Sequence, residues 1–237
     1  VTDPIDDGSD EDEAGVAFAV ALTLAAVTGW VDAIGFTHLF GVFPANQSGN
    51  LVLFGISVGD GRAGEWWRPG LAMLAFVLGV ALAHGGGRRL PHRHRRTVLL
   101  TAEAVALAVV ALLAGNVAHL RHLDGATEVG VLAIAAVAMG VQTVLLGRVA
   151  GISVSTTFET GAIVRMSEAL AEFPAVRASA AARRTIVVLA SVVIAYAGGA
   201  AVGTAAAGHW GGALWVPTIV VAGVAAASAV RAARARG

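Results

Sequence analysis

The chain has no cysteine and no lysine, and only 14% of its 237 residues are charged. Without cysteine there is no disulfide, no thiolate metal site, no iron–sulfur cluster and no cysteine nucleophile. Ordinary globular domains carry about a quarter charged residues, so this chain lacks the groups needed to face water over a whole surface. Also missing are a Gly-rich phosphate loop, a nucleophile elbow and a zinc-protease helix. No catalytic residue and no cofactor is therefore expected, and an enzyme is the less favoured reading.

What is present is apolar, at 57% of residues. Crossing a hydrocarbon core of ~30 Å takes a helix of roughly 20 mostly apolar residues. Six stretches qualify: 16–38, 69–86, 97–118, 129–147, 185–207 and 213–230. No polar–apolar alternation runs over barrel-strand lengths. Separate spans must then satisfy their own backbone groups as helices. The fold class is all-α integral membrane, with about six transmembrane helices.

A net charge of zero conceals an uneven distribution. Asp3, Asp6, Asp7, Asp10, Glu11, Asp12 and Glu13 crowd the first 13 positions, and the remainder is basic by seven charges. Residues 1–14 read as a disordered acidic tail. Their sign is wrong for the n-region of a secretory signal, so the first apolar segment is expected to stay as a helix.

Two segments make poor spans. One is Gly41-Val-Phe-Pro-Ala-Asn-Gln-Ser-Gly-Asn50 with the short apolar run to Val58. The other follows Arg148 and holds Thr156-Thr-Phe-Glu-Thr-Gly161, then Ala162 to Leu170 with Arg165 and Glu168. Both fit broken or re-entrant helices buried among the others. Arginine clusters test the topology, because basic residues gather in cytoplasmic loops. Those clusters are Arg88, Arg89, Arg93, Arg95 and Arg96; Arg148; Arg177, Arg183 and Arg184; and Arg231, Arg234 and Arg236. Six spans with a cytoplasmic N-terminus place all four inside, as do seven spans with an external tail. Eight spans do not. Six is preferred, and the C-terminus is cytoplasmic in either case.

The halves resemble each other. Gly29-Trp-Val-Asp-Ala33 precedes Asn46-Gln-Ser-Gly-Asn50, and Met139-Gly-Val-Gln-Thr143 precedes Thr157-Phe-Glu-Thr-Gly161. Asp32 then matches Gln142, and Ser48-Gly49 matches Thr160-Gly161. Residues 15–118 and 127–231 are read as two inverted three-helix repeats. Interrupted helices at corresponding places in inverted repeats point to a midplane binding site in secondary transporters, although a symmetric bundle alone fixes no function.

The runs GWVDAIGFTHLFGVFPANQSGNLVLFG and MGVQTVLLGRVAGISVSTTFETG resemble the YoaK family of bacterial multi-pass membrane proteins, a domain of unknown function. The likeness covers the chain beyond its acidic tail. Its hallmarks map to Asp32, Ser48-Gly49-Asn50, Gly140 with Gln142, and Thr160-Gly161. Family members more often have Thr where this chain has Ser48, and the swap keeps a hydroxyl. The resemblance implies a bacterial cytoplasmic (inner) membrane protein and leaves its activity open.

Candidate binding residues are the polar groups within the membrane: Asp32, Asn46, Gln47, Ser48, Gly49, Asn50, Gln142, Thr157, Glu159, Thr160 and Gly161. An ionised carboxylate at mid-bilayer costs at least ~2.5 kcal/mol, so Asp32 is expected to face a cavity, an ion or a partner. The functional reading is a proton or cation site, and the structural one is an ion pair with Arg148 or Arg165. The breaks offer amide, hydroxyl and carboxylate oxygens and freed backbone groups, or else only bonds between helices worth ~0.6 kcal/mol each. Glu103 is expected to pair with a nearby arginine, and Arg165 with Glu168. Ala195, Gly199, Gly203 and Ala207 form a small-residue stripe suited to close packing, within the bundle or in a homo-oligomer.

No metal site is expected. His92 and His94 lie among arginines, and His119, His122 and Asp124 suit a solvated loop. The basic loop 88–96 reports topology and lipid headgroups, with no nucleic-acid partner.

The favoured function is transport of a small solute or ion, with a site between the two breaks. The alternative is a non-transporting membrane protein, either an accessory subunit or a lipid-modifying enzyme. Single cysteines at the acidic tail, residue 62 and residue 179 test the topology. An impermeant thiol reagent on intact cells should label only residue 62, and external labelling of residue 179 overturns the inverted arrangement.

Overall fold

Hydrocarbon supplies no water to pair with backbone groups, so a chain this apolar resolves into helices. The computed structural model describes residues 7–61, 65–115, 125–145, 159–171 and 180–234, and no strand occurs among them. In order they form α1 (Asp7–Ile34, prolonged by a π-helical turn at Gly35–Leu39), α2 (Gln47–Gly59), α3 (Trp67–Gly87) and α4 (His92–Ala114). There follow α5 (Gly125–Leu145), α6 (Glu159–Ala171), α7 (Ala180–His209) and α8 (Trp215–Arg234). Six are long and apolar enough to cross a membrane: α1, α3, α4, α5, α7 and α8. By contrast α2 and α6 have 13 residues each, about 20 Å of rise, short of a ~30 Å core. α1 begins at Asp7, inside the segment read as a disordered tail. Acidic residues in a first turn suit the helix dipole.

Two apolar clusters sort the helix ends. One gathers Ala21 and Leu24 of α1, Leu100 of α4 and Val188 and Val192 of α7, each in the first half of its span, with Met139 late in α5 and Ala225 just past the middle of α8. The other gathers Ile34 at the end of α1, Val110 and Ala114 of α4 and Ala207 of α7. It adds Ala72, Val131, Leu132 and Leu214, at or beside the starts of α3, α5 and α8. The six long helices therefore alternate in direction. α1 ends and α3 begins at one end of the bundle, and α5 ends and α7 begins at the other, so the chain has the six spans preferred from the sequence. Arg88, Arg89, Arg95, Arg96, Arg183, Arg184, Arg231 and Arg234 fall at a single end. Arg68 sits at the other, where it pairs with Glu128 at 2.5 Å and lies over the Trp67 ring.

Glycines set the two tightest crossings, α1 on α7 and α3 on α5. A Cβ on Gly29 would lie 2.0 Å from the Tyr196 carbonyl oxygen, and one on Gly199 2.0 Å from that of Ala26. The second crossing copies the first: Gly140 against the Phe76 carbonyl at 2.3 Å, Gly79 against that of Val137 at 2.2 Å. Positions in α1 and α5 correspond with a constant offset of 111 (29 to 140, 26 to 137), and those in α3 and α7 with 120 (79 to 199, 76 to 196). This register sets Asp32 against Thr143. The motifs read from the sequence set it one residue earlier, against Gln142. Gly203 meets Trp30 and Ala207 is buried, so the small-residue stripe of α7 is occupied within the bundle.

Backbone carbonyls cannot retreat, so Gly29→Ala and Gly140→Ala should each lower stability by about 1–3 kcal/mol. Gly198→Ala, with nothing within 4 Å of its new methyl, should be tolerated. Thermal unfolding of the detergent-solubilised protein reads the difference.

Candidate functional site

The first break is built by local chain chemistry. Gly41 turns the chain with φ +68°, a conformation that an L side chain rarely adopts. Residues 42–46 then fold back on α1. Pro44 packs so close to Gly35 that a Cβ there would lie 2.6 Å from its ring, and Phe43 stacks on Phe36 with centroids 4.6 Å apart. Asn46 caps α2: its Oδ1 accepts from the Gly49 N–H at 3.1 Å and from Ser48 Oγ at 2.8 Å. This is the usual way to satisfy a free first-turn donor.

Asn50 closes the loop. Its Nδ2 donates to the Phe43 carbonyl at 2.6 Å and to Gln47 Oε1 at 3.0 Å, and its Oδ1 accepts from the Phe43 N–H at 2.9 Å. Gln47 Nε2 in turn donates to the Pro44 carbonyl at 3.0 Å. Asn50 thus stands in for a strand partner to a backbone that has left its helix. Asn46, Gln47, Ser48, Gly49 and Asn50 come together as one network, and Asn50 is fully buried.

Asp32 joins this network from α1 and is 1% exposed. Oδ1 accepts the Ala45 N–H at 2.6 Å, and Oδ2 accepts the Tyr196 hydroxyl at 2.8 Å. Of the two expected ion-pair partners, Arg148 lies outside the described residues and Arg165 is an exposed residue of α6. The donors recorded here are neutral, one from the break and one from α7 in the other half of the chain. Tyr196, the chain's single tyrosine, escaped the sequence reading. An isolated phenol in an Ala/Gly-rich helix was the available signal, since a buried tyrosine hydroxyl usually finds a partner.

Gln142 occupies a separate position. Its Nε2 donates to the Leu24 carbonyl at 3.0 Å and to Thr28 Oγ1 at 2.6 Å. Thr28 and Asp32 are four apart and share a face of α1, so Gln142 lies about one helical turn from the carboxylate. Glu103, expected to pair with an arginine, has no hydrogen-bond partner among the described residues. The span His94–Ala114 puts it near mid-membrane, about 10 Å of helix from Arg96. Of the second break, Thr157 lies outside the described residues, Glu159 and Thr160 open α6, and Gly161 is half-buried in its first turn. His119, His122 and Asp124 also lie outside them. Among the described residues no three His, Asp or Glu side chains group as metal ligands.

Comparison with known proteins agrees with this architecture. The family described as "Protein of unknown function (DUF1275)" matches residues 20–227. The UPF0700 transmembrane protein YoaK of Bacillus subtilis (strain 168) is 26% identical over 204 residues, covering 85% of this chain and 89% of that protein. No solved structure matches.

Removing the Asn50 amide leaves the half-buried N–H and C=O of Phe43 unpaired. Asn50→Ala should cost about 1–3 kcal/mol, whereas Ser48→Ala, at an exposed position, should stay within about 0.5 kcal/mol. Chemical denaturation of the two variants in matched micelles measures the gap.

Proposed function

The chain belongs to the DUF1275 family, and we propose that it transports a small solute or ion through a polar centre between its two helix breaks. The observation that carries this reading is the position of Asp32. A buried carboxylate ties the first break, through Ala45, to the opposite half of the bundle, through Tyr196. Any ligand that competes for Asp32 loosens both contacts together. Ligand binding is thereby coupled to the packing of one half on the other, which alternating access requires.

Inverted repeats are part of the proposal. The alternating direction of the six spans, the short helices of equal length and the matched glycine crossings support it. With arginines at one end, the positive-inside rule makes that end cytoplasmic, with both termini there, in a bacterial cytoplasmic membrane. In this reading Gln142, hydrogen-bonded to Thr28 one turn from Asp32, lines the same centre.

Thermal stabilisation by a panel of alkali cations, ammonium, small carboxylates, amino acids and sugars tests the reading. A true ligand at 100 times its Kd adds about 2.7 kcal/mol. Asp32→Asn should abolish the shift and the uptake of that ligand into proteoliposomes, and Tyr196→Phe should reduce uptake. Shift and uptake both surviving in Asp32→Asn would remove the mechanism.

A further inference from the structure

The break does not use every buried acid. Glu103 is 0% exposed, and neither of its carboxylate oxygens has a hydrogen-bond partner among the described residues. Leu100 and Leu107, about one turn away on either side, are buried too, so this face of α4 points into the bundle. α4 and α5 run antiparallel. Leu99 clusters with Val141 and Leu145, and Val110 with Val131 and Leu132. That pairing brings Glu103 to the height of Met139 and Gln142.

Gln142 Oε1 is another buried oxygen without a partner among the described residues. Its orientation is set by its own amide: with Nε2 on the Leu24 carbonyl, a flip would put two acceptors face to face. Three acceptor oxygens therefore share the core of the bundle, and the one other unpartnered group among the described residues, the Thr97 hydroxyl, lies six residues nearer the start of α4. A lone ionised carboxylate in such a medium is very costly, and a proton removes the charge while creating the missing donor.

We propose that Glu103 is a proton-binding site at the centre of the bundle, holding H⁺ in this conformation and exchanging it when water reaches the carboxyl group. The other charged groups on the helices packed against α4 lie towards helix ends. They are Glu128 on α5, already paired with Arg68 of α3, His84 of α3, and Arg231 and Arg234 of α8. On α4 itself His92, Arg93, His94, Arg95 and Arg96 occupy the first turns. Asp32 on α1 is bonded to Ala45 and Tyr196. None supplies a compensating positive charge at the height of Glu103. The inference stands whether or not a solute is carried.

Dicyclohexylcarbodiimide, an apolar reagent for protonated carboxyls, tests it on the full chain in liposomes. The carboxyl proton passes to a carbodiimide nitrogen as its oxygen bonds the central carbon. Acyl transfer to nitrogen then fixes the adduct, and nothing leaves. At neutral pH, peptide mass mapping should find one carbodiimide on Glu103, declining as pH is raised. Infrared spectra should show a protonated-carboxyl C=O band that Glu103→Gln loses and Asp32→Asn retains. If Glu103→Gln fails to fold, the mapped adduct on the wild type reads the same proton. Absence of both band and adduct in the wild type overturns the proposal. So does labelling that Na⁺ blocks at constant pH, which would assign the site to a metal cation.

Discussion

Every backbone group that leaves a helix inside hydrocarbon must find a partner within the protein, and the architecture around α2 follows from that requirement. The chain departs from helical bonding after Leu39 and resumes it at Gln47. Side chains meet several of the intervening groups: the Ala45 N–H by Asp32, both polar groups of Phe43 by Asn50, and the Pro44 carbonyl by Gln47. The cluster of short polar residues is thus first of all a substitute for helix. Its candidacy as a binding site rests on the same atoms, because a ligand entering there would exchange bonds that already exist.

Close helix packing is the second organising feature. Lipid tails are as apolar as leucine, so association depends on how nearly two backbones approach. At both principal crossings a glycine on each helix faces a carbonyl of the other. The register so defined is stricter than the likeness of the two sequence motifs, and it sets position 32 against 143 where the motifs set it against 142. Motif alignment places residues by type, whereas a crossing places them by the point where atoms would collide.

The two intramembrane acids differ in kind. Asp32 has hydrogen-bond donors from two parts of the chain, whereas Glu103 has none among the described residues. Sequence position pointed to an arginine partner for Glu103, which stands near the basic cluster. Helical rise separates it from that cluster, and the face of α4 that carries it turns inward.

Composition and hydrophobic run length alone determined the solvent, the helical class, six spans and two segments unable to cross, because these depend only on transfer free energy along the chain. Arginine placement narrowed the topology on the same basis. The tertiary structure decided which polar side chains meet: Asp32 with Tyr196, 164 residues away, and Gln142 with Thr28, 114 residues away. It also decided that Glu103 is left facing the core. Such pairings depend on the rotation of each helix about its axis and on the approach its glycines permit. Neither is written in local pattern, because both are set by the surface of another helix.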